Sequence, residues 1–117
     1  MTASELQRRV RAALEKIPVP VTKDFSEYEG EYPHIIYREI SNVPAQHGDN
    51  REIFFRSVYQ VAIVTADDEY EELEAAVETA MLNLGFVRSD AQDIFDGNFN
   101  RVLRFSILEV KNLEGVN

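Results

Sequence analysis

The chain has 117 residues, no Cys and no Trp, and 21 Asp and Glu against 12 Lys and Arg, which leaves a net charge of −9. This length suits one domain with a single core, the lack of Cys excludes disulfide frameworks and thiol catalysis, and no apolar run reaches the roughly 20 residues that span a bilayer. The negative charge disfavours sequence-specific DNA binding because phosphates would be repelled, and nothing marks the chain for export, so we expect it to fold in a cytoplasm.

The first predicted element is an amphipathic helix over residues 4–17. Prolines at positions 18 and 20 end this helix. The apolar stripe that recurs at helical spacing comprises Leu6, Val10, Leu14 and Ile17. We predict a short extended segment over 19–21 and a loop over 23–32 after it.

Two strands separated by a polar connection come next. Residues 34–40 alternate well enough for a strand, and 53–65 predict the strongest strand because they are rich in β-branched and aromatic side chains. Between them, residues 41–51 have loop composition, with Pro44 and a Gly-Asp-Asn turn signal. We predict a long, mobile hairpin arm over 41–51.

The second half of the chain begins with a predicted helix over residues 66–84. Gly85 follows it, at a position that suits a left-handed helix cap. The remaining predicted elements are short strands over 86–87 and 91–95, a closing strand over 101–110 and a frayed tail over 112–117.

This order of elements predicts an α+β fold in one domain spanning residues 1–117. The natural way to bury its apolar surfaces is a mostly antiparallel sheet of four or five strands with two main helices packed on one face. In the strand 53–65, one face carries Tyr59 and Val61 and is expected to pack on the helices. The other face mixes apolar residues with Arg56 and Gln60, and we expect it to be half exposed or covered by a neighbour.

Three groups of residues are candidate contact surfaces. The hairpin connection offers a partner-contact loop of Gln46, His47, Gly48, Asp49, Asn50 and Arg51. The second helix offers an acidic face that could line a lumen or an interface, made of Asp68, Glu71, Glu72 and Glu78. The first helix offers a basic interface of Arg8, Arg9 and Arg11. Solvated helix faces are the plain alternative for both charged groups.

No catalytic, cofactor or metal motif stands out. His34 and His47 are the only histidines, and His47 beside Asp49 has no nucleophile partner in the same stretch. The acids around 67–72 lack the alternating ligands and central Gly of a calcium loop, and phosphate-binding glycine motifs are absent. We therefore expect a binding or structural protein without cofactor or metal, not an enzyme.

The segments in their order resemble a known family. They are Ile17-Pro18-Val19-Pro20-Val21 after the first helix, the strand Tyr32-Pro33-His34-Ile35-Ile36-Tyr37, the polar Asp49-Asn50, the long strand 58–65, the helix from Tyr70-Glu71-Glu72-Leu73 to Leu84-Gly85-Phe86, and the closing Phe99-Asn100-Arg101-Val102-Leu103-Arg104-Phe105. Over roughly residues 5–110, this arrangement is similar to the tail terminator and tail-completion proteins of long-tailed bacteriophages and prophages.

The resemblance implies a small α+β subunit that forms a ring, typically a hexamer. Such a ring caps a finished tail tube, stops its growth and offers a surface to the head connector, while DNA passes through without specific binding. The implied partners are copies of the chain itself, the tail tube protein and the head connector or neck protein. The implied location is the bacterial host cytoplasm during assembly and then the head–tail junction of the virion.

Other classes of function stay open. The net charge of −9 suggests an acidic DNA-mimic inhibitor or another small protein-binding module. A small hydrolase or ligand-binding domain could use His47, Asp49 and Arg51, provided that they line a pocket. A neighbouring neck or head-completion subunit of the virion would show the same sequence features as a terminator.

Overall fold

Five strands form one sheet, and two helices pack on one of its faces. The computed structural model describes residues 3–25, 32–47, 52–67 and 69–112. Its elements are α1 (Ala3–Glu15), β1 (Val21–Lys23), β2 (His34–His47), β3 (Glu52–Thr65), α2 (Glu71–Asn83), β4 (Val87–Phe95) and β5 (Phe99–Asn112). The strand order is β1-β2-β3-β5-β4, with β1 parallel to β2 and the other neighbours antiparallel. The predicted α+β class is confirmed.

The core lies between the helices and the sheet. Alternation along β3 turns Tyr59, Val61 and Ile63 toward the helices, and all three side chains are fully buried. Each helix contributes apolar side chains that recur at helical spacing on one face: Leu6, Val10 and Leu14 from α1, and Val77 and Met81 from α2. Full burial of each such side chain is worth roughly 1.5–3 kcal/mol, so this layer is the main source of stability.

Three strands run past the helices. Strands β2, β3 and β5 each have 14 residues and therefore span about 46 Å, whereas the 13-residue helices span about 20 Å. The Cα radius of gyration is accordingly 15.6 Å, above the roughly 13 Å expected for a rounded domain of this size. We call residues 39–47, 52–57 and 107–112 the arm.

The predicted loop over 41–51 is wrong for its first seven residues. Residues 41–47 belong to β2, and Gly48–Arg51 lie outside the described residues. Loop composition misled the prediction because β1 pairs with β2 only up to Tyr37, so Pro44 lies at a free border where its missing N–H breaks no ladder. Two register shifts, between Glu39 and Ser41 and between Pro44 and Gln46, absorb the irregular sequence.

Helix α2 begins later than predicted. The helix predicted over 66–84 starts at Glu71, because Asp67 makes local hydrogen bonds with Thr65 and Glu69 instead. The Thr65 hydroxyl donates to the Asp67 carbonyl, and the Glu69 N–H donates to Asp67 Oδ1 at 3.1 Å. Local side-chain bonds of this kind compete with the helix.

The C-terminal half closes as a hairpin. The predicted short strands 86–87 and 91–95 form one strand, β4, with a register shift between Arg88 and Asp90. Gly85 has φ +102° after α2 and confirms the predicted cap position, and Gly97 has φ +97° in the turn before β5. Of the predicted frayed tail 112–117, Asn112 is the last residue of β5, and 113–117 lie outside the described residues.

Candidate assembly surfaces

Two residues of the predicted partner-contact loop, Gln46 and His47, belong to the arm. Gln46 and His47 close β2, where their backbones oppose Phe54 and Ile53 of β3. Gly48, Asp49, Asn50 and Arg51 connect the two strands along the chain and lie outside the described residues. Of the predicted loop residues, Gln46 and His47 therefore lie at the end of β2 that is farthest from β1.

The edge strands of the sheet carry features that hinder pairing with a strand of another molecule. Beyond Tyr37, strand β2 has β3 on one side only, and this free border carries Pro44 and two register shifts. Strand β4 has β5 on one side only, and it carries a register shift beside Asp90. Proline, bulges and charges at an edge hinder edge-to-edge pairing, so the faces of the molecule are better suited to contacts than its borders.

The predicted acidic face is narrower than the sequence indicates. Glu71 and Glu72 are exposed on α2, whereas Asp68 lies outside the described residues. Glu78 forms an ion pair with Arg88 of β4 and is therefore not a free negative charge. The sequence placed Glu78 on a candidate lumen or interface face, because the position of Arg88, ten residues on, depends on how β4 pairs with β5.

A second ion-pair cluster ties α2 to the sheet. Arg101 Nε lies 2.6 Å from Glu74 Oε1, and its Nη1 lies 3.2 Å from Asp93 Oδ1. The guanidinium carbon is 5.2 Å from the centre of the Tyr70 ring, within range of a cation–π contact. The hydrogen bond to Glu74 raises the pKa of Arg101. This cluster is satisfied internally and has the geometry of a structural link.

The predicted basic interface is exposed along α1. Arg8 and Arg9 are exposed, and Arg11 Nε lies 3.1 Å from Glu15 Oε2, one helical turn away. The hydrogen bond to Glu15 raises the pKa of Arg11. Arg8 and Arg9 are thus the more available cations of this group, and an exposed pair such as Arg11–Glu15 adds little.

An exposed aromatic tip at the β4–β5 turn was not predicted from the sequence. Phe95 is 67% exposed and Phe99 39% exposed, and their ring centres lie 5.0 Å apart at the β4–β5 turn. A groove of about 360 Å³ beside them is lined by Tyr70, Glu71 and neighbouring residues of the hairpin. We call Glu69, Glu71, Phe95 and Phe99 the acidic–aromatic tip. From the sequence only the turn between β4 and β5 could be predicted. Alternation along a strand does not show that Phe95 and Phe99 lack a covering helix.

The sheet face away from the helices extends the mixed face that the sequence predicts for β3. Strand register places Arg38, Gln60 and Arg104 in one row across the sheet. Two rows further along the same face lie Val43, Arg56 and Leu108. We call Arg38, Val43, Arg56, Arg104 and Leu108 the arginine–aliphatic face. The sequence predicted a mixed face for β3 alone, and the pairing of strands extends it across the sheet.

The arginines of this face are poorly neutralised. Among the described residues none of the three forms an ion pair within 4.0 Å of a carboxylate, although Asp90 lies opposite Arg104 in the strand register. Arg104 Nε is buried without a hydrogen-bond partner, and Arg38 donates to the backbone carbonyl of Asp24 at 2.9 Å. In a chain of net charge −9, this is a local concentration of positive charge.

A few polar groups lie in low-dielectric surroundings at the root of the arm. Burial, followed by the nearby carboxylate of Glu39, raises the pKa of Tyr59. Burial raises the pKa of Glu109, while the positive charge of Arg9 opposes that shift. In both cases burial favours the neutral form of the side chain.

Most of the residues considered for catalysis, namely Asp49, Arg51 and the side chain of His47, lie outside what the structure describes. His34 is buried, with its ring stacked 5.6 Å from that of Tyr32. In the described part of the chain, no cluster of three His, Asp or Glu side chains could hold a metal ion. No described helix is long and apolar enough to cross a membrane.

The chain matches no protein-family model, and a search of curated proteins returns no match either.

Proposed function

We propose that this protein is a structural subunit of a long-tailed phage or prophage. It forms a homo-oligomeric ring, a hexamer, on the end of the tail tube, stops tube growth and joins the tail to the head connector. The protein assembles in the cytoplasm of the bacterial host and ends at the head–tail junction of the virion. The order of its segments, which resembles that of tail terminators, and the shape of the molecule support this proposal.

The observation that carries the proposal is the arm. Three strands are each roughly 25 Å longer than either helix, and the described core cluster takes no residue from β2 after Tyr37 or from β3 before Tyr59. Of the arm, only Ile107 packs against the described core cluster, and ordering so long a ribbon costs conformational entropy that contact with a partner would offset. A tube subunit or a neighbouring copy provides that partner.

Unlike surfaces on one subunit support ring formation. A closed ring needs a heterologous interface, in which two different patches of the same chain meet. The described residues present two such patches, the acidic–aromatic tip and the arginine–aliphatic face, and they differ in charge. The overall negative charge also suits a ring through which duplex DNA passes without specific binding, because acidic walls repel phosphates.

Assembly of tail tubes in the presence of the purified protein tests this function. Tube protein polymerised with the intact chain is expected to give tubes of limited length that carry a ring at one end. Deletion of residues 45–50, at the end of the arm, is expected to leave the thermal unfolding transition in place but to abolish capping. A variant with a Gly-Ser segment of equal length at 45–50 separates lost contacts from altered length. Normal capping by the deletion variant would refute the role of the arm.

A further inference from the structure

We infer that the acidic–aromatic tip of one copy docks on the arginine–aliphatic face of a second copy. This contact rests on the proposed ring assembly and names the two surfaces that build it. The tip lies where α2 begins and the β4–β5 hairpin turns, whereas the face lies on the helix-free side of β2, β3 and β5. The two surfaces are therefore different parts of the chain, as a head-to-tail contact requires.

The tip combines exposed apolar rings with free carboxylates. Phe95 and Phe99 stand beside the groove that Glu71 lines, and Glu69 is exposed just before α2. Within the described part of the chain neither carboxylate forms an ion pair, because Arg88 and Arg101 are bound to Glu74 and Glu78 instead. The tip therefore offers negative charge together with a groove that can receive an aliphatic side chain.

The face combines exposed aliphatic side chains with free guanidinium groups. Val43 is 49% exposed and Leu108 50% exposed, and they flank Arg56 in one row of the sheet. Arg38 and Arg104 lie two side-chain rows away on the same face. Guanidinium groups bind carboxylates in a fixed, bidentate geometry and lose less hydration than ammonium groups do.

Charge complementarity selects a second copy as the occupant. The arginine–aliphatic face attracts an acidic partner. The rest of the chain is acidic and repels such a partner. The second copy carries the matching acid at a place where exposed rings lie beside it, and apolar contact supplies the affinity that rim charges alone do not. The edges of the sheet hinder strand pairing, so a second copy docks on a face of the sheet and not at its edge.

Charge-reversal variants test this contact in solution. The face variant carries Arg38→Glu and Arg56→Glu, and the tip variant carries Glu69→Lys and Glu71→Lys. The control variant carries Lys16→Glu and Lys23→Glu, two exposed positions after α1 and at the end of β1 that change the net charge as the face variant does. Sedimentation velocity over a concentration series gives the mass of each, and thermal unfolding shows that each is folded.

The expected pattern is specific to two complementary surfaces. The intact and control chains self-associate, while the face variant and the tip variant each bind their own kind about tenfold or more weakly. A one-to-one mixture of face and tip variants regains association, because a reversed face then meets a reversed tip and the intact surfaces meet each other. A chain with all four substitutions also regains it.

Three results would overturn the inference: unchanged association of either variant, no recovery in the mixture, or an intact chain that stays monomeric at every concentration. The role in tails is decided separately. If the variants dissociate but particles lacking the protein have normal tails, the contact stands and the proposed function fails. If the variants fail to alter association but the intact chain still caps tubes, the function stands and this contact fails.

Discussion

Arg101 Nε lies 2.6 Å from Glu74 Oε1, and this ion pair fastens strand β5 to helix α2 across 27 residues of sequence. Both side chains are only 20% exposed. The same guanidinium reaches Asp93 of β4 and the ring of Tyr70. Arg101 thus holds the start of α2 over the β4–β5 hairpin, which carries the acidic–aromatic tip.

Replacement of this arginine tests the link. Arg101→Met is expected to lower the free energy of unfolding by about 1–2 kcal/mol, because it removes hydrogen bonds to charged groups at a half-buried site. Urea unfolding followed by circular dichroism measures the change. Arg11→Met is the matched control, since it breaks an exposed pair within one helix and is expected to change stability much less. Equal losses in the two variants would contradict the structural role of Arg101.

The helix-to-sheet core is predicted to dominate stability. Leu14→Ala is expected to cost about 2–5 kcal/mol, because the side chain is fully buried and its loss leaves a cavity. Leu82 is 50% exposed on α2, and Leu82→Ala is expected to have a small effect. The urea midpoints of the two variants compare the sites directly. A Leu82→Ala midpoint as low as that of Leu14→Ala would show that the outer side of α2 is covered.

Two glycines are predicted to be required for their backbone conformation. Gly85 and Gly97 both have positive φ, and substitution by Ala at such a position costs about 1–2 kcal/mol. A Cβ at Gly85 would lie 3.4 Å from Ile107 Cδ1, whereas a Cβ at Gly97 would meet nothing within 4 Å. Similar losses of melting temperature in Gly85→Ala and Gly97→Ala are therefore expected. Loss at Gly85 alone would point to packing as the cause.

Glu109 is predicted to make stability fall with rising pH. Its pKa in the folded chain is raised above the ordinary value of 4.5 by burial, so the folded state binds more protons than the unfolded state in the range just above that value. The unfolding free energy of the intact chain should then decline, relative to that of Glu109→Gln, as pH rises upward from about 4.5.

Denaturant titrations at several pH values measure this difference. Arg9→Met is a useful companion, because the positive charge of Arg9 lowers the pKa of Glu109 and its removal should enlarge the decline. A difference between the intact chain and Glu109→Gln that does not vary with pH would contradict the assignment.

The amphipathic elements could be predicted from the sequence because their periodicity reports directly on burial. The stripe of Leu6, Val10 and Leu14 and the alternation of Tyr59, Val61 and Ile63 are local signals, and the structure buries all six. The start of α2 could not be read in the same way. At Asp67, local side-chain hydrogen bonds compete with the helix. Which of the two forms depends on where β3 ends.

The candidate surfaces were harder to predict because they depend on strand neighbours. Gln46 and His47 resembled loop residues, since no local signal shows that a Pro-containing segment pairs with β3. Glu78 resembled a free acid, since its partner Arg88 comes from another element. The rows that join Arg38 to Arg104 and Arg56 to Leu108 exist only once the sheet order is known.

Electron microscopy of particles assembled without this protein tests the central proposal most directly. A subunit that ends tube growth and joins the tail to the head should leave, in its absence, tubes of uneven and excessive length that are separate from filled heads. Restoring the intact chain should return joined tails of one length. Joined tails of uniform length on particles that lack the protein would contradict the account.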